Sequence, residues 1–178
     1  MQGCRRRPWW SDRKDGVLKK DIVKSDIAGL AAWLAGSMAA GLIGSRFMPG
    51  QWYEALEKPA WTPPDAVFGP VWTVLYIMMG VSAWLVWRKE GFGGATAPLA
   101  LFIIQLVLNA LWSYIFFGLQ QPMLAFCEIL VLWVVILLTA AGFWKIDRLA
   151  GGLLVPYLCW VGFASALNFQ IWRLNIQG

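Results

Sequence analysis

The chain has 178 residues, 59% of them hydrophobic and only 14% charged, with a formal net charge of +5. Soluble domains carry about a quarter charged residues, so a mean hydropathy of +0.58 argues for a bilayer as solvent and against a water-soluble globule. With no histidine in the chain, the commonest metal ligand, the usual proton shuttle and the usual axial haem ligand are missing.

Residues 1–25 are polar and basic, opening with RRRPWW at residues 5–10. The apolar run that follows is too long, and the basic region too extended, for a secretory signal. We expect a disordered or interfacial tail that touches anionic lipid, with no nucleic-acid role. From there the expected fold class is an all-α membrane protein, a five-transmembrane-helix bundle forming one domain over residues 26–175. Apolar segments at 27–47, 67–87, 97–117, 122–144 and 150–172 each approach the ~20 residues that cross ~30 Å of hydrocarbon. Arg46, Arg88-Lys89-Glu90, Gln120-Gln121-Pro122 and Lys145-Ile146-Asp147-Arg148 punctuate them. Twelve lysines and arginines fall on the tail side and three on the other. The positive-inside rule then predicts a cytoplasmic N-terminus, with loop 48–66 and the C-terminus opposite, in a membrane of bacterial type.

In the first span Ala32, Gly36, Ala40 and Gly44 recur every four residues, which lets backbones approach closely, within the bundle or at a dimer seam. Loop 48–66 is longer than packed helices need, and long ordered loops are commonly functional. Pro63 and Pro64 restrict its backbone, so we expect a lid in which Trp52, Tyr53 and Trp61 cover the cavity mouth. An interfacial aromatic belt is the alternative. Pro70 is expected in the first turn of the second span, where its missing N–H costs little.

The second span aligns Phe68, Trp72, Tyr76 and Met79 on one face, and the third aligns Gln105, Asn109, Trp112 and Phe116. Amides are expensive against lipid, so the latter face must look into a cavity or hydrogen-bond between helices. The fourth span carries one carboxylate, Glu128, an intramembrane ionisable group and so a functional candidate; a hydrogen bond to Gln105 or Asn109 is the alternative. In the fifth, Tyr157, Trp160, Ala164 and Asn168 share a face, with Trp172 one turn on. Three helices presenting aromatics beside polar groups suit a pocket for a large, flat hydrophobic ligand. Cys4, Cys127 and Cys159 have no metal-site spacing, and the last two are expected as small core residues. No catalytic centre or metal site is expected: the chain lacks a triad, a glycine-rich phosphate loop and paired carboxylates within any span.

The segments WYEALEKPAWTPPDAVFGPVWTVLYIMMG, LNALWSYIFFG, AFCEILVLW and PYLCWVGFASALNFQIWRLN resemble, in this order, the tryptophan-rich sensory protein or translocator protein family. Its mammalian members are also called peripheral-type benzodiazepine receptors. The resemblance covers about residues 27–175. It implies a five-helix bundle, often dimeric, that binds porphyrins such as protoporphyrin IX and, in some members, cholesterol. Carried over by position, the family's pocket falls on Tyr53, Phe68, Gly69, Trp72, Asn109, Trp112, Leu124, Cys127, Glu128, Trp160, Ala164 and Leu167. Gly69, Leu124, Cys127 and Leu167 rest on the resemblance alone. The sequence departs from the family's sterol-recognition pattern, which wants a tyrosine near the end of the fifth span where this chain has Phe169 and Gln170. Sterol is therefore a poor fit. The expected function is porphyrin binding as sensor, regulator or carrier, with porphyrin a ligand and no cofactor required, and with no enzymatic step. The alternatives are tryptophan-assisted, light-dependent porphyrin breakdown, and lipid or sterol handling without porphyrin.

Overall fold

A computed structural model describes the backbone of residues 9–47 and 50–176, and side chains from residue 25 onward. The elements are α1 (Trp9–Gly44), α2 (Gln51–Ala55), α3 (Asp65–Gly94), α4 (Thr96–Ser113) with a π-helical turn at Tyr114–Gly118, α5 (Pro122–Ile146), α6 (Arg148–Leu153) and α7 (Val155–Leu174). Five stretches are long and apolar enough to cross a membrane: Ser25–Gly44, Asp65–Gly94, Thr96–Gly118, Pro122–Ile146 and Arg148–Leu174. They overlay the five predicted spans, and the protein is a multi-pass membrane protein built as an all-α bundle. From Trp9 the backbone of the basic tail is helical and continuous with the first span. Residues 1–8, and Cys4 with them, lie outside the described residues.

Apolar side chains cover both sides of these helices, because lipid and core alike accept them. Ile103, Ile104 and Val107 on α4, and Val131, Val134 and Leu138 on α5, are all exposed, which in a bilayer means facing acyl chains. The core runs through Met79, Ala83 and Val86 of α3, Phe102 of α4, Leu132, Ile136 and Phe143 of α5, and Tyr157 of α7. In the plane of the bundle α3 packs on α1, α5 packs on α4 and α7, and α1 also touches α4.

The α1–α3 contact is close because glycines line it. A Cβ on Gly80 would lie 2.9 Å from the Leu34 Cα and 3.1 Å from the Trp33 carbonyl, and one on Gly41 would run into the Tyr76 ring. The predicted small-residue row divides across this register. Ala40 and Gly44 are buried, whereas Ala32 and Gly36 are exposed. Cys127 and Cys159 are likewise exposed rather than core; both are apolar enough to face lipid.

The tail-side ends are tied by polar contacts. Asp147 caps α6 by accepting from the Leu149 and Ala150 backbone amides, at 2.8 and 3.1 Å, and pairs with Lys89 Nζ of α3 at 2.8 Å. The Lys89 hydrogen bond foremost, with those amides, holds the Asp147 carboxyl below its ordinary range. This tie therefore contributes above the unfolded carboxylate pKa and is lost as the pH falls through the lower, folded value. Nearby, Arg88 pairs with Asp26 at 3.5 Å, and Trp84 Nε1 donates to the Asp26 carbonyl at 3.0 Å. At Gly91 the backbone turns through φ 62°, ψ −170°, kinking the end of α3 in a conformation open essentially to glycine alone.

Because α3 starts at Asp65, Pro70 sits in its second turn rather than the first. It offers no N–H to the Ala66 carbonyl, and the loop-side end of α3 is correspondingly less tied to itself.

Candidate functional site

The loop-side half of the bundle encloses a cavity of about 600 Å³ between α1, α3, α4, α5 and α7. Three aromatic arrays build its walls. On α3, Trp72 stacks on Tyr76 with centroids 5.5 Å apart, and meets Tyr157 of α7 edge-on at 6.1 Å. Phe68 meets Trp160 edge-on at 5.8 Å. Opposite, Trp112 and Phe116 stack at 5.2 Å and 22°. The π-helical turn Tyr114–Gly118 adds a residue to the helical repeat, so that adjacent Phe116 and Phe117 both line the cavity.

Polar groups are few and mutually satisfied. Asn109 accepts from the Tyr76 hydroxyl and donates to the Tyr157 hydroxyl at 3.2 Å, linking α3, α4 and α7 at a buried point. Trp112 Nε1 donates to Asn168 Oδ1 at 3.1 Å, and Asn168 Nδ2 donates to the Pro122 carbonyl at 2.8 Å. The third-span face thus does both things its amides allowed: Asn109 lines the cavity and bonds between helices. Gln105 does not line it and lies against Met79 Sδ at 3.7 Å. Above the cavity, α2 lowers Tyr53 into the roof, 6% exposed, between Phe116 and Phe117 and beneath Lys58 Nζ at 4.4 Å. Burial, with a smaller push from the Asp65 carboxylate, raises the Tyr53 phenol above its ordinary value, so it meets the cavity as a neutral hydroxyl.

A sequence model of the TspO/MBR family matches residues 29–173, nearly all of the helical bundle. The chain belongs to the TspO/MBR family. Among curated relatives it is similar to the "Tryptophan-rich protein TspO" of Chlorobaculum tepidum, 44% identical over 160 residues, which are 86% of this chain and 99% of that protein. It is similar also to "Protein CrtK" of Rhodobacter capsulatus, 40% identical over 82% of this chain and 91% of that one. The human "Translocator protein" is 41% identical over 75% of this chain and 82% of its own length.

In this TspO/MBR bundle most of the residues implied by resemblance converge. Tyr53, Phe68, Gly69, Trp72, Asn109, Trp112, Trp160, Ala164 and Leu167 all line the cavity. Leu124, Cys127 and Glu128 do not. The wall that α5 supplies is Ile129 and Leu132, and the 100° advance per residue turns Leu124 and Cys127 onto the outer surface, where both are exposed. Both Glu128 carboxylate oxygens are buried without a hydrogen-bond partner among the described residues; neither Gln105 nor Asn109 reaches them.

The lid residues also stand back from the cavity. Trp52 packs edge-on against Phe116 at 5.9 Å, and Trp61 against Phe163 at 5.6 Å. Pro63 and Pro64 precede α3 without lining the space. Trp172 packs outward on Phe126 and Phe169.

One residue that sequence reasoning missed holds this roof in place. The Glu57 backbone N–H donates to Asn175 Oδ1 at 3.1 Å, while Asn175 Nδ2 donates to the carbonyls of Glu57 at 3.0 Å and Ile171 at 2.8 Å. A single amide thus clamps the loop to the last turn of α7. Its only sequence signal is an asparagine at a helix end. Asn175→Ala is expected to speed amide hydrogen exchange across residues 51–64 by about tenfold, the loss of one or two ordinary hydrogen bonds. Unaltered exchange there would show that aromatic packing alone fixes the loop.

Proposed function

We propose that the cavity receives a large, flat, apolar molecule of the tetrapyrrole class, with protoporphyrin IX as its representative, and that the protein acts as a receptor or carrier for it. The observation that carries this reading is that Trp72 of α3 and Trp160 of α7 line one aromatic-walled space of about 600 Å³. Such a volume, within the 300–1,000 Å³ usual for small-molecule sites, fits a single rigid ligand. Asn109 and Asn168 supply the few polar groups that orient it. The names sensory protein and translocator protein among the relatives agree with binding and carriage rather than turnover. The porphyrin is held here by stacking and shape as a ligand, without iron ligation. The lysine and arginine distribution supports a cytoplasmic tail, with the roof of the cavity on the opposite side.

Titration of the purified protein with protoporphyrin IX tests the reading through tryptophan fluorescence quenching. Saturable quenching is expected, with Trp72→Ala and Trp160→Ala each weakening binding about tenfold. No saturation, or an affinity unchanged from the unsubstituted protein in both variants, would sink it. Following the Soret band in light and in darkness distinguishes binding from the competing photochemical role: a band stable under illumination supports carriage, and one lost only with both tryptophans present supports breakdown.

A further inference from the structure

The cavity is not sealed on all sides by the bundle. Several of its lining residues are also on the outer surface: Leu42 of α1, at 69% exposed, and Ser45 just beyond its end, with Ala66, Gly69 and Thr73 on α3. All five flank the seam between these two helices. Lower down, that seam is shut, with Gly80 against the Leu34 backbone and Gly41 against the Tyr76 ring. About three helical turns nearer the loop, a Cβ on Gly69 would meet nothing within 4 Å. The two helices therefore diverge toward the loop, leaving a lateral slot. Along α3 it runs from Ala66 to Thr73, about 10 Å at 1.5 Å per residue. Leu42, Ala66, Gly69 and Thr73 belong to stretches long and apolar enough to cross a membrane, and the exposed Val67, Val74 and Ile77 continue an apolar outer surface along α3. The described part of the roof is held in place. Tyr53 is buried, Trp52 and Trp61 are packed on phenylalanines, and Asn175 clamps Glu57.

We propose that apolar molecules enter and leave the cavity sideways from the bilayer, through the slot between α1 and α3, while the loop stays closed as a fixed roof. Gly69 and Thr73 set the width of this portal. A flat ring system passes edge-on between α1 and this stretch of α3 without disturbing the Asn109 network below. The inference leans on the preceding section only for the flat shape of the ligand; the portal itself rests on the slot.

The test needs no porphyrin. In full-length protein in nanodiscs, with Cys4, Cys127 and Cys159 replaced by alanine, Ala164→Cys places one thiol on the α7 wall of the cavity. Its labelling by pyrene maleimide, which partitions into lipid, is compared with labelling by a membrane-impermeant sulfonated maleimide. The lipid-borne reagent is expected to react about tenfold faster, and Thr73→Trp to slow it by about tenfold, while Asn175→Ala leaves it unchanged. Gly69→Leu, whose added carbon meets open space, gives the same result should Thr73→Trp fail to fold. Equal labelling by both reagents, or acceleration by Asn175→Ala with no slowing by the slot variants, would overturn the portal. Failure of protoporphyrin to bind while the labelling pattern holds would instead remove only the proposed ligand.

Discussion

Gly80→Val is expected to be among the most destabilising single changes in the bundle. The added atoms would meet the Leu34 Cα and the Trp33 carbonyl, backbone atoms that cannot rotate away as a side-chain tip can. Accommodating them requires α1 to move off α3, and overpacking of this kind costs about 1–3 kcal/mol or more. Since membrane helices associate by van der Waals packing rather than by a hydrophobic drive, nothing offsets the loss. Gly36→Val is the internal control, since a Cβ there meets nothing within 4 Å. Thermal unfolding in nanodiscs should separate the two variants by several degrees. If both melt alike, the seam is not the tight contact its geometry describes.

The second large effect is expected at Asn109. Replacing it with leucine keeps the volume but strands the Tyr76 and Tyr157 hydroxyls, both inside the bundle. A buried polar group left without a partner costs about 1–3 kcal/mol, and hydrogen bonds between membrane helices average ~0.6 kcal/mol, so a total near ~2 kcal/mol is reasonable. A cycle with Tyr76→Phe and Tyr157→Phe isolates the cause. When both hydroxyls are already gone, Asn109→Leu should cost much less. Strict additivity would mean that Asn109 matters only through the space it fills. Ligand affinity should fall with the single variant, because the freed rings of Tyr76 and Trp72, stacked in the native wall, lose their fixed orientation.

The spans were legible because run length is a strong signal: about twenty apolar residues bounded by proline or charge have few other uses. The Gln105, Asn109, Trp112 and Phe116 face was legible for a related reason, since amides cannot be left in hydrocarbon. What could not be read was which apolar face points where. In a soluble helix polarity marks the outside, but here Cys127 and Leu124 suit lipid as well as core, and they face lipid. The same ambiguity hid the register of α1, whose closest approaches use Gly29, Gly41 and the backbone at Leu34 rather than Ala32 and Gly36. Resemblance to known relatives found Gly69 and Leu167 on the cavity wall, where composition gave no hint. Neither route found the π-helical turn, which depends on how Phe116 and Phe117 pack, nor the clamp made by Asn175, whose partner is far away in the chain.

That distance has a consequence for biogenesis. Glu57 and Asn175 are separated by 118 residues, so the loop leaves the ribosome long before the group that fastens it exists. Until the last helix has been made and inserted, the first loop has no latch and the aromatic space beneath it has no finished ceiling. A nascent chain stalled after α5 would hold Trp72 and Trp112 but neither Trp160 nor the clamp. Any capture of the proposed ligand therefore has to wait until α7 has been made.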